Sequence, residues 1–550
     1  MKIIKDPVYD YLEIEDKYFK LIDTAGFQRL RNIRQTTYQA LYPSASHNRF
    51  VHSLGVFHLG KKAIRYFYEN SKAYFPCDLN ETIWNEMENS FLTACLLHDV
   101  GHSPFSHTGE EYYKKGTDIR AMLCEEIGSS QFALDSNSSI GNPHEAMSVL
   151  IGLDMCKKAG VTIDKELFAR AIIGLAYSDN CKSVLTLIKN AIILMLNGKL
   201  IDVDKLDYLT RDSFVTGYKN LMIDVERLLS GYSICKDRSG EYWIVYKQRS
   251  HSVIENVIYA NDQERRWIQN HPVVLYDSML CDFAIRFFDK GMKEKQETEN
   301  SSIQTAFVKE ALTENGLFDR GVPVRLLCDD DIICHIKNAV DSPSIARQFF
   351  SRDTWLKPLW KTETMFTDLS DATLGMDLSK ALHDDFGSIL DFLQQHTGFL
   401  VNEVALDAAN AAYQDAQKEN GPIESIMQSY ERVKYICTLF KQFQEANSLP
   451  DFEFAVVVAS RFSSIYRRVD VESIKIELAG KRIVSLANYL PVMARQEDYG
   501  KPRSLFYVYT TKENIQTSES KSKNLGEEFF TYLRKHYDIT SLPGYIFPVK

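Results

Sequence analysis

The sequence predicts a mainly α protein, with a large helical domain followed by a smaller α+β lobe. Three observations carry this. Apolar residues recur at helical spacing through most of the first two-thirds of the chain. After Pro450 the pattern changes to the alternation and short apolar runs of strands, as in FEFAVVV, SIKIEL, RIVSL and SLFYVYT. The 550 residues, 45% hydrophobic and 25% charged, can bury a large core and exceed the roughly 100–200 residues of one ordinary domain.

Taken in order, residues 2–15 alternate like an edge hairpin, and 17–34 read as a helix. Amphipathic helices follow over 56–71, 81–102, 144–156 and 167–177. GEYWIVYK, 240–247, is strand-like, and 253–292 is a long helical run. KEKQETENSS, 293–302, reads as a solvated loop or helix end. Residues 377–448 are helical again, with a break at Gly421-Pro422. The Ser/Lys-rich stretch 517–523 reads as a loop before a final helix over 526–537. No internal repeat is evident, and the domain boundary falls between 365 and 380.

Acidic residues number 74 against 64 Lys plus Arg, a formal charge of -10 that argues against the basic footprint of a nucleic-acid binder. An anionic ligand must therefore meet a local basic pocket. The opening MKIIKDPVYD has no apolar h-region, and no apolar run approaches the roughly 20 residues of a membrane span. The expectation is a cytoplasmic protein without membrane partners. Ten cysteines without a CxxC pair fit neither a disulfide framework nor a Cys-type zinc site and read as core residues.

Histidines are clustered instead. Seven of the 13 fall between His47 and His144. Three segments supply candidate metal ligands: His52 in NRFVHSLGV, His98 and Asp99 in CLLHDVGHSPFSH, and Asp204 in LIDVDKLDYLTRD. Two imidazoles and two carboxylates suit iron, manganese, zinc or nickel, and such an ion lowers the pKa of a water it holds. Any one of these histidines alone reads equally well as a core or surface residue. The adjacent His-Asp within an apolar helix is harder to dismiss, because an unpaired buried charge costs several kcal/mol. Asp204, Tyr208 and Asp212 stand at i, i+4 and i+8 and share one helix face, while Asp202 and Asp207 fall elsewhere and read as solvated.

The words ASHNRFVHSLGV, LLHDVGHSPFSH, NPHEAMSV and DVDKLDYLTRD closely resemble the HD-domain dNTP triphosphohydrolases, namely the bacterial dGTPase-like enzymes and the antiviral SAM-and-HD-domain dNTPase, over residues 1–365 and without a SAM domain. The resemblance implies an HD phosphohydrolase domain over 1–375, its catalytic core about 45–215, and a lobe over 376–550 serving oligomerisation or regulation. It makes His52, His98, Asp99 and Asp204 the ligands of a divalent transition metal, with magnesium on the triphosphate. His107 corresponds to the general acid at the leaving 5′ oxygen, and an imidazole suits that task near neutral pH. His102 and His144 match further phosphate-contacting or orienting histidines, with Glu110 and Glu145 as the acids beside them. His102 also reads as a helix-end residue before Pro104. Arg49 and Lys205 match triphosphate contacts, where fixed positive charge helps catalysis most. Gln35, Tyr208 and Asp212 match sugar contacts. His47 and His58 keep ordinary structural readings.

Residues 1–35 align without a gap to a segment that binds an activating guanine nucleotide between subunits, with Lys2, Ile3, Asp23, Gln28 and Arg31 at the contacts. Equally, DTAGFQRLR reads as a plain amphipathic first helix. The implied function is cleavage of a dNTP to deoxynucleoside and triphosphate, activated by GTP or a dNTP within a homo-oligomer, tetramer or dimer, and serving pool balance or antiviral defence. The alternatives are an HD phosphodiesterase acting on another nucleotide or on single-stranded nucleic acid, and a nucleotide-sensing HD protein. Thr36, Thr37, Tyr38, Gln39 and Ala40 replace a Gly-rich stretch of the family, and Trp267 and Ile268 stand near where it keeps a tyrosine against the 2′ hydroxyl. Arg461, Arg467 and Arg468 read as surface charge.

Overall fold

The computed structural model describes residues 1–114, 118–178, 183–218, 223–296, 305–339, 344–375, 379, 435, 438–449, 454–459, 468–489, 505–520 and 524–536. Two compact units divide the chain. One comprises Met1–Arg265, Ile285–Asn338 and Tyr466–Asp498; the other comprises Arg266–Ala284, Ala339–Ile465 and Tyr499–Lys550.

The first unit opens with the expected hairpin, Lys2–Asp6 antiparallel to Asp10–Ile14 with Ile4 opposite Leu12. The single helix expected over 17–34 is instead broken into Asp16–Ile22, Ala25–Gln28 and a 3-10 turn at Arg29–Asn32. Thr24 is the cause: its side chain accepts from Phe27 N and begins a new helical turn.

The core is built on the Arg49–Ser71 and Glu81–Leu97 helices, which pack against each other. Each starts at an asparagine whose side chain accepts an orphan backbone N–H, Asn48 from Val51 at 3.3 Å and Asn80 from Ile83 at 3.0 Å. Leu54, Phe57, Ile64 and Phe67 of the first, and Phe91, Leu96 and Leu97 of the second, are buried. Each such side chain contributes roughly 1.5–3 kcal/mol of burial, and truncating Leu96 to Ala would cost about 2–5 kcal/mol. The Pro143–Ala159 helix begins with Pro at its first turn and a capping box in which Glu145 accepts from Asn142 N at 2.6 Å. Glu145 is therefore a helix cap. The Lys165–Ile173, Val184–Leu196 and Val203–Thr216 helices complete the bundle.

A four-stranded sheet orders Tyr232–Lys236, Tyr242–Lys247, Lys475–Leu478 and Arg482–Ser485. Tyr246 lies opposite Ile476 in a parallel pairing, which draws the Tyr466–Asp498 segment into the first unit. The chain beyond 375 is therefore shared between the two units and does not form one separate lobe.

In the second unit the Phe506–Thr510 strand lies between Phe454–Val458 and Lys357–Pro358, all of its residues buried. Trp360, Phe366, Phe529 and Phe530 form its aromatic core, and the Glu363–Leu374 helix packs against Leu525–His536. The helical run expected over 253–292 is interrupted by a π-turn at Arg265–Gln269 and restarts at Pro272. Pro272 has no N–H to donate and disfavours a helical residue before it. Of the expected helical stretch 377–448, most lies outside the described residues, as do Arg461 and Arg467. Among the described residues, no helix is long and apolar enough to cross a membrane.

Candidate metal centre and active site

Asp204 stands in the first turn of the Val203–Thr216 helix, which Asp202 caps by accepting from Lys205 N at 2.7 Å. His52 lies in the first turns of Arg49–Ser71, and His98 and Asp99 follow directly after Leu97. Nε2 of His52 is 2.9 Å from Asp204 and 3.6 Å from Asp99, and Nε2 of His98 is 3.6 Å and 3.4 Å from the same carboxylates. His52, His98 and Asp204 alone already form a group able to hold a metal ion.

The donors fit an ion because their other faces are committed. His52 Nδ1 contacts Asp207 at 2.7 Å and His98 Nδ1 contacts the Cys95 carbonyl at 3.0 Å. With an ion bound, each imidazole would keep its proton on Nδ1 and offer its Nε2 lone pair inward, where neither Nε2 has a hydrogen-bond partner in the protein. Burial lowers the His52 pKa, yet Asp204 and Asp207 outweigh it and push it up to about 10. Burial likewise opposes ionisation of Asp99, but Arg49, His98 and His102 hold it well below the usual carboxylate range. The cluster strongly attracts positive charge.

Beside it lies a second group, His102, His107, Glu110 and His144. Oε1 of Glu110 is 2.9 Å from His144 Nδ1 and 4.0 Å from His102 Nδ1, and it also contacts His107 Nδ1. His102 and His144 stack with centroids 3.9 Å apart. Burial raises the Glu110 pKa, but His107 and His144 prevail and keep it well below normal, while burial and Arg49 hold His102 neutral. His107 is the accessible member, its side chain 69% exposed.

Arg49 joins the groups. It donates to Asp99 Oδ2 at 2.9 Å and Ser106 Oγ at 2.9 Å, and its Nη2 is 3.4 Å from His107 Nε2. The loop that carries His107 has two non-glycine residues at positive φ, Phe105 at 57° and Ser106 at 55°, a strained backbone that needs outside support. Asp329 supplies it by accepting from Phe105 N at 2.7 Å and from Arg34 N at 3.1 Å. Arg29, buried, braces the preceding turn through the Val100 and His102 carbonyls at 2.7 and 2.9 Å.

Lys205 does not face the metal group. Its Nζ donates to Asp202 at 2.5 Å and to the Gly198 carbonyl at 2.9 Å, and Asp202 holds it charged against the effect of burial. Asp202 and Asp207, expected to be solvated, are buried. Asp207 orients His52 and pairs with Arg211, while Asp202 caps a helix.

Asp212 is buried, with His47 Nε2 at 2.7 Å and Glu264 hydrogen-bonded to it. Tyr38 donates to Glu264 at 2.8 Å, and Gln35 N donates to the His47 carbonyl at 3.1 Å. Burial pushes the Asp212 carboxyl up to about 7 and the His47 imidazole down to about 4, so the site favours the neutral form of each. His47, Glu264 and Asp329 had no distinguishing signal in the sequence; Asp207 had one, its i, i+4 spacing to Arg211.

The N-terminal candidates stand apart from this cluster. Lys2 lies over the Phe19 ring, Ile3 is 60% exposed, and Asp23 is exposed at a helix end. Arg31 stacks on Phe50 and donates to Gln28 at 2.7 Å.

Comparisons with known proteins agree with this geometry. The HD domain family matches residues 49–165. An uncharacterized protein of Mycoplasma genitalium, MG461, is 26% identical over 337 residues, 60% of this chain and 71% of that one. A Dictyostelium discoideum protein named deoxynucleoside triphosphate triphosphohydrolase SAMHD1 homolog is 32% identical over 242 residues, 43% of this chain and 40% of that one. A solved hypothetical protein from Aquifex aeolicus shares the fold, with TM-score 0.55, 16% identity, and 95% and 100% of the two chains covered. Residues 49–165 thus carry an HD domain, the signature of metal-dependent hydrolases, and the chain, which spans about half the length of several of the curated relatives it matches, is similar to proteins named as dNTP triphosphohydrolases.

Proposed function

We propose that the chain hydrolyses a deoxynucleoside triphosphate to deoxynucleoside and inorganic triphosphate. The observation that carries the reading is the link, through Arg49, between a buried cluster of two imidazoles and two carboxylates and an accessible histidine backed by a carboxylate. The activity named for the Dictyostelium relative supports the same reading.

When bound, a divalent ion supplies Lewis acidity that makes water a competent nucleophile near neutral pH. His52, His98, Asp99 and Asp204 would hold it. In the proposed step the water oxygen bonds to the α-phosphorus and the bond from that phosphorus to O5′ breaks. The electron pair leaves with O5′, which takes a proton from His107. Glu110 on Nδ1 orients that imidazole and offsets its charge. Arg49, already positioned by Asp99 and Ser106, faces the charge growing on the phosphate. Lys205 reaches the triphosphate only by leaving Asp202, and magnesium is the expected counter-ion of the phosphate chain. Gln35, Tyr208 and Asp212 receive the sugar, where the carboxyl of Asp212 can pair with a hydroxyl.

Activation by GTP or a dNTP in a homo-oligomer extends the reading. The exposed Gln28–Arg31 pair supports it, as does a separate cavity of about 400 Å³ lined by Arg227, Arg249, His251 and Arg482. Incubation with each dNTP, with and without GTP, and identification of the phosphorus products by nuclear magnetic resonance tests the reading. Inorganic triphosphate is expected; phosphate or pyrophosphate as first product would refute it.

A further inference from the structure

We propose that the cavity between the end of the Arg49–Ser71 helix and the start of the Glu81–Leu97 helix binds an aliphatic polyamine. It encloses about 370 Å³, the size of a small-molecule site. Along the second helix Trp84, on the cavity wall, precedes His98 by 14 residues, a rise of roughly 20 Å. The cavity is therefore separate from the candidate metal centre.

Its walls combine aromatic rings with carboxylates. Tyr68, Phe75 and Trp84 pack on one another, the Trp84 centroid lying 4.9 Å from that of Tyr68 and 5.2 Å from that of Phe75. Aromatic surfaces take both methylene groups and ammonium charges. Glu81 and Glu88 line the same cavity. They stand seven residues apart on one helix with Trp84 between them, so their Cα atoms are separated by roughly 10 Å. An extended chain with an ammonium at each end spans that separation, its methylenes lying across the rings.

Charge complementarity favours the same occupant. Glu88 is half-buried and accepts from the Trp84 indole N–H, but it has no ion pair among the described residues. Burial raises its pKa above the ordinary carboxylate value, and Lys17 opposes this only from a distance, being 3.6 Å from Glu15 instead. Other nearby cations are committed elsewhere. Lys72 pairs with Glu69 at 2.7 Å, while Arg65, on the cavity wall, lies over the Tyr66 ring and acts on Glu226. Two wall carboxylates thus face one guanidinium, and an ammonium seated beside Glu88 would offset the cost of burying its charge.

Titration calorimetry of the full chain with spermidine tests this, in about 0.15 M salt to screen diffuse attraction to the acidic surface. One molecule per chain is expected. Glu88→Gln, nearly isosteric, and Glu81→Gln, at an exposed position, should each weaken binding roughly tenfold or more. Glu125→Gln, which removes an exposed acid from the Ile119–Ile127 helix, should leave binding unchanged. Butylamine, which carries a similar stem and one charge, should bind roughly tenfold or more weakly than spermidine. Absence of spermidine binding, affinity unchanged in either Glu81→Gln or Glu88→Gln, or an equal loss in Glu125→Gln would overturn the site. Butylamine or guanosine bound as tightly as spermidine would overturn the choice of a polyamine.

Discussion

Nδ1 of His52 lies 2.7 Å from Oδ2 of Asp207, and both side chains are sealed from solvent. Arg211 holds the same carboxylate through Nε at 2.9 Å and Nη2 at 3.0 Å and reaches Asp6 at 3.0 Å. A chain of fixed charges from the N-terminal hairpin therefore ends on an imidazole of the candidate metal cluster. Carboxylates in this position orient the ring and raise its basicity. Asp207→Asn should weaken metal affinity by about 10- to 100-fold, measured by competition with a chromophoric chelator. Unchanged affinity would detach Asp207 from the metal group.

Gly55 makes that arrangement possible. A Cβ there would lie 1.9 Å from Asp207 Oδ1 and 2.5 Å from Arg211 Nη2. In an open helix Gly→Ala gains about 1 kcal/mol. Here the methyl must displace a buried ion pair, so Gly55→Ala should lose about 1–3 kcal/mol in denaturant unfolding. A stabilised variant would show that the helix has room to spare.

Acid should destabilise the fold through His47. Burial holds its pKa down to about 4, below the ordinary value of 6.5, so the unfolded chain binds the extra proton between those values. The stability is fully present above 6.5 and is lost as pH falls towards 4, by at most about 1.4 kcal/mol per unit. His58, also held down to about 4 by burial, acts in the same direction. Urea unfolding at pH 7 and pH 5 should show a smaller loss for His47→Gln than for the unaltered chain; equal losses would contradict this.

Asp329, 224 residues from Phe105, clamps the strained loop before His107. Asp329→Ala should leave metal content intact while lowering kcat by about 10- to 100-fold, since small misplacements of a reacting group are that costly. A changed metal content with kcat per bound ion preserved would move Asp329 out of the positioning role.

The strands were legible because period-2 alternation is local: the hairpin, Phe454–Val458 and Phe506–Thr510 all fall where the pattern placed them. Tyr232–Lys236 was missed because YSICK is too short and too mixed to signal a strand. The residues proposed to hold the metal stood out in the sequence because their words are contiguous and chemically unusual, and the fold brings His52, His98 and Asp204 together. Asp207 was misread because a helical wheel places it away from Asp204 but does not show that Arg211 and the hairpin cover that face. Asp329 and the His47–Asp212 contact depend on tertiary approach across long stretches of chain, which no local pattern encodes.

The most direct test of the central claim is a dNTP turnover in H2(18)O, with products resolved by mass spectrometry. Attack of water at the α-phosphorus predicts heavy oxygen in inorganic triphosphate and none in the deoxynucleoside, with turnover abolished in a folded His98→Ala, Asp99→Ala variant. Label in the deoxynucleoside, release of phosphate or pyrophosphate, or full turnover by that variant would contradict the account.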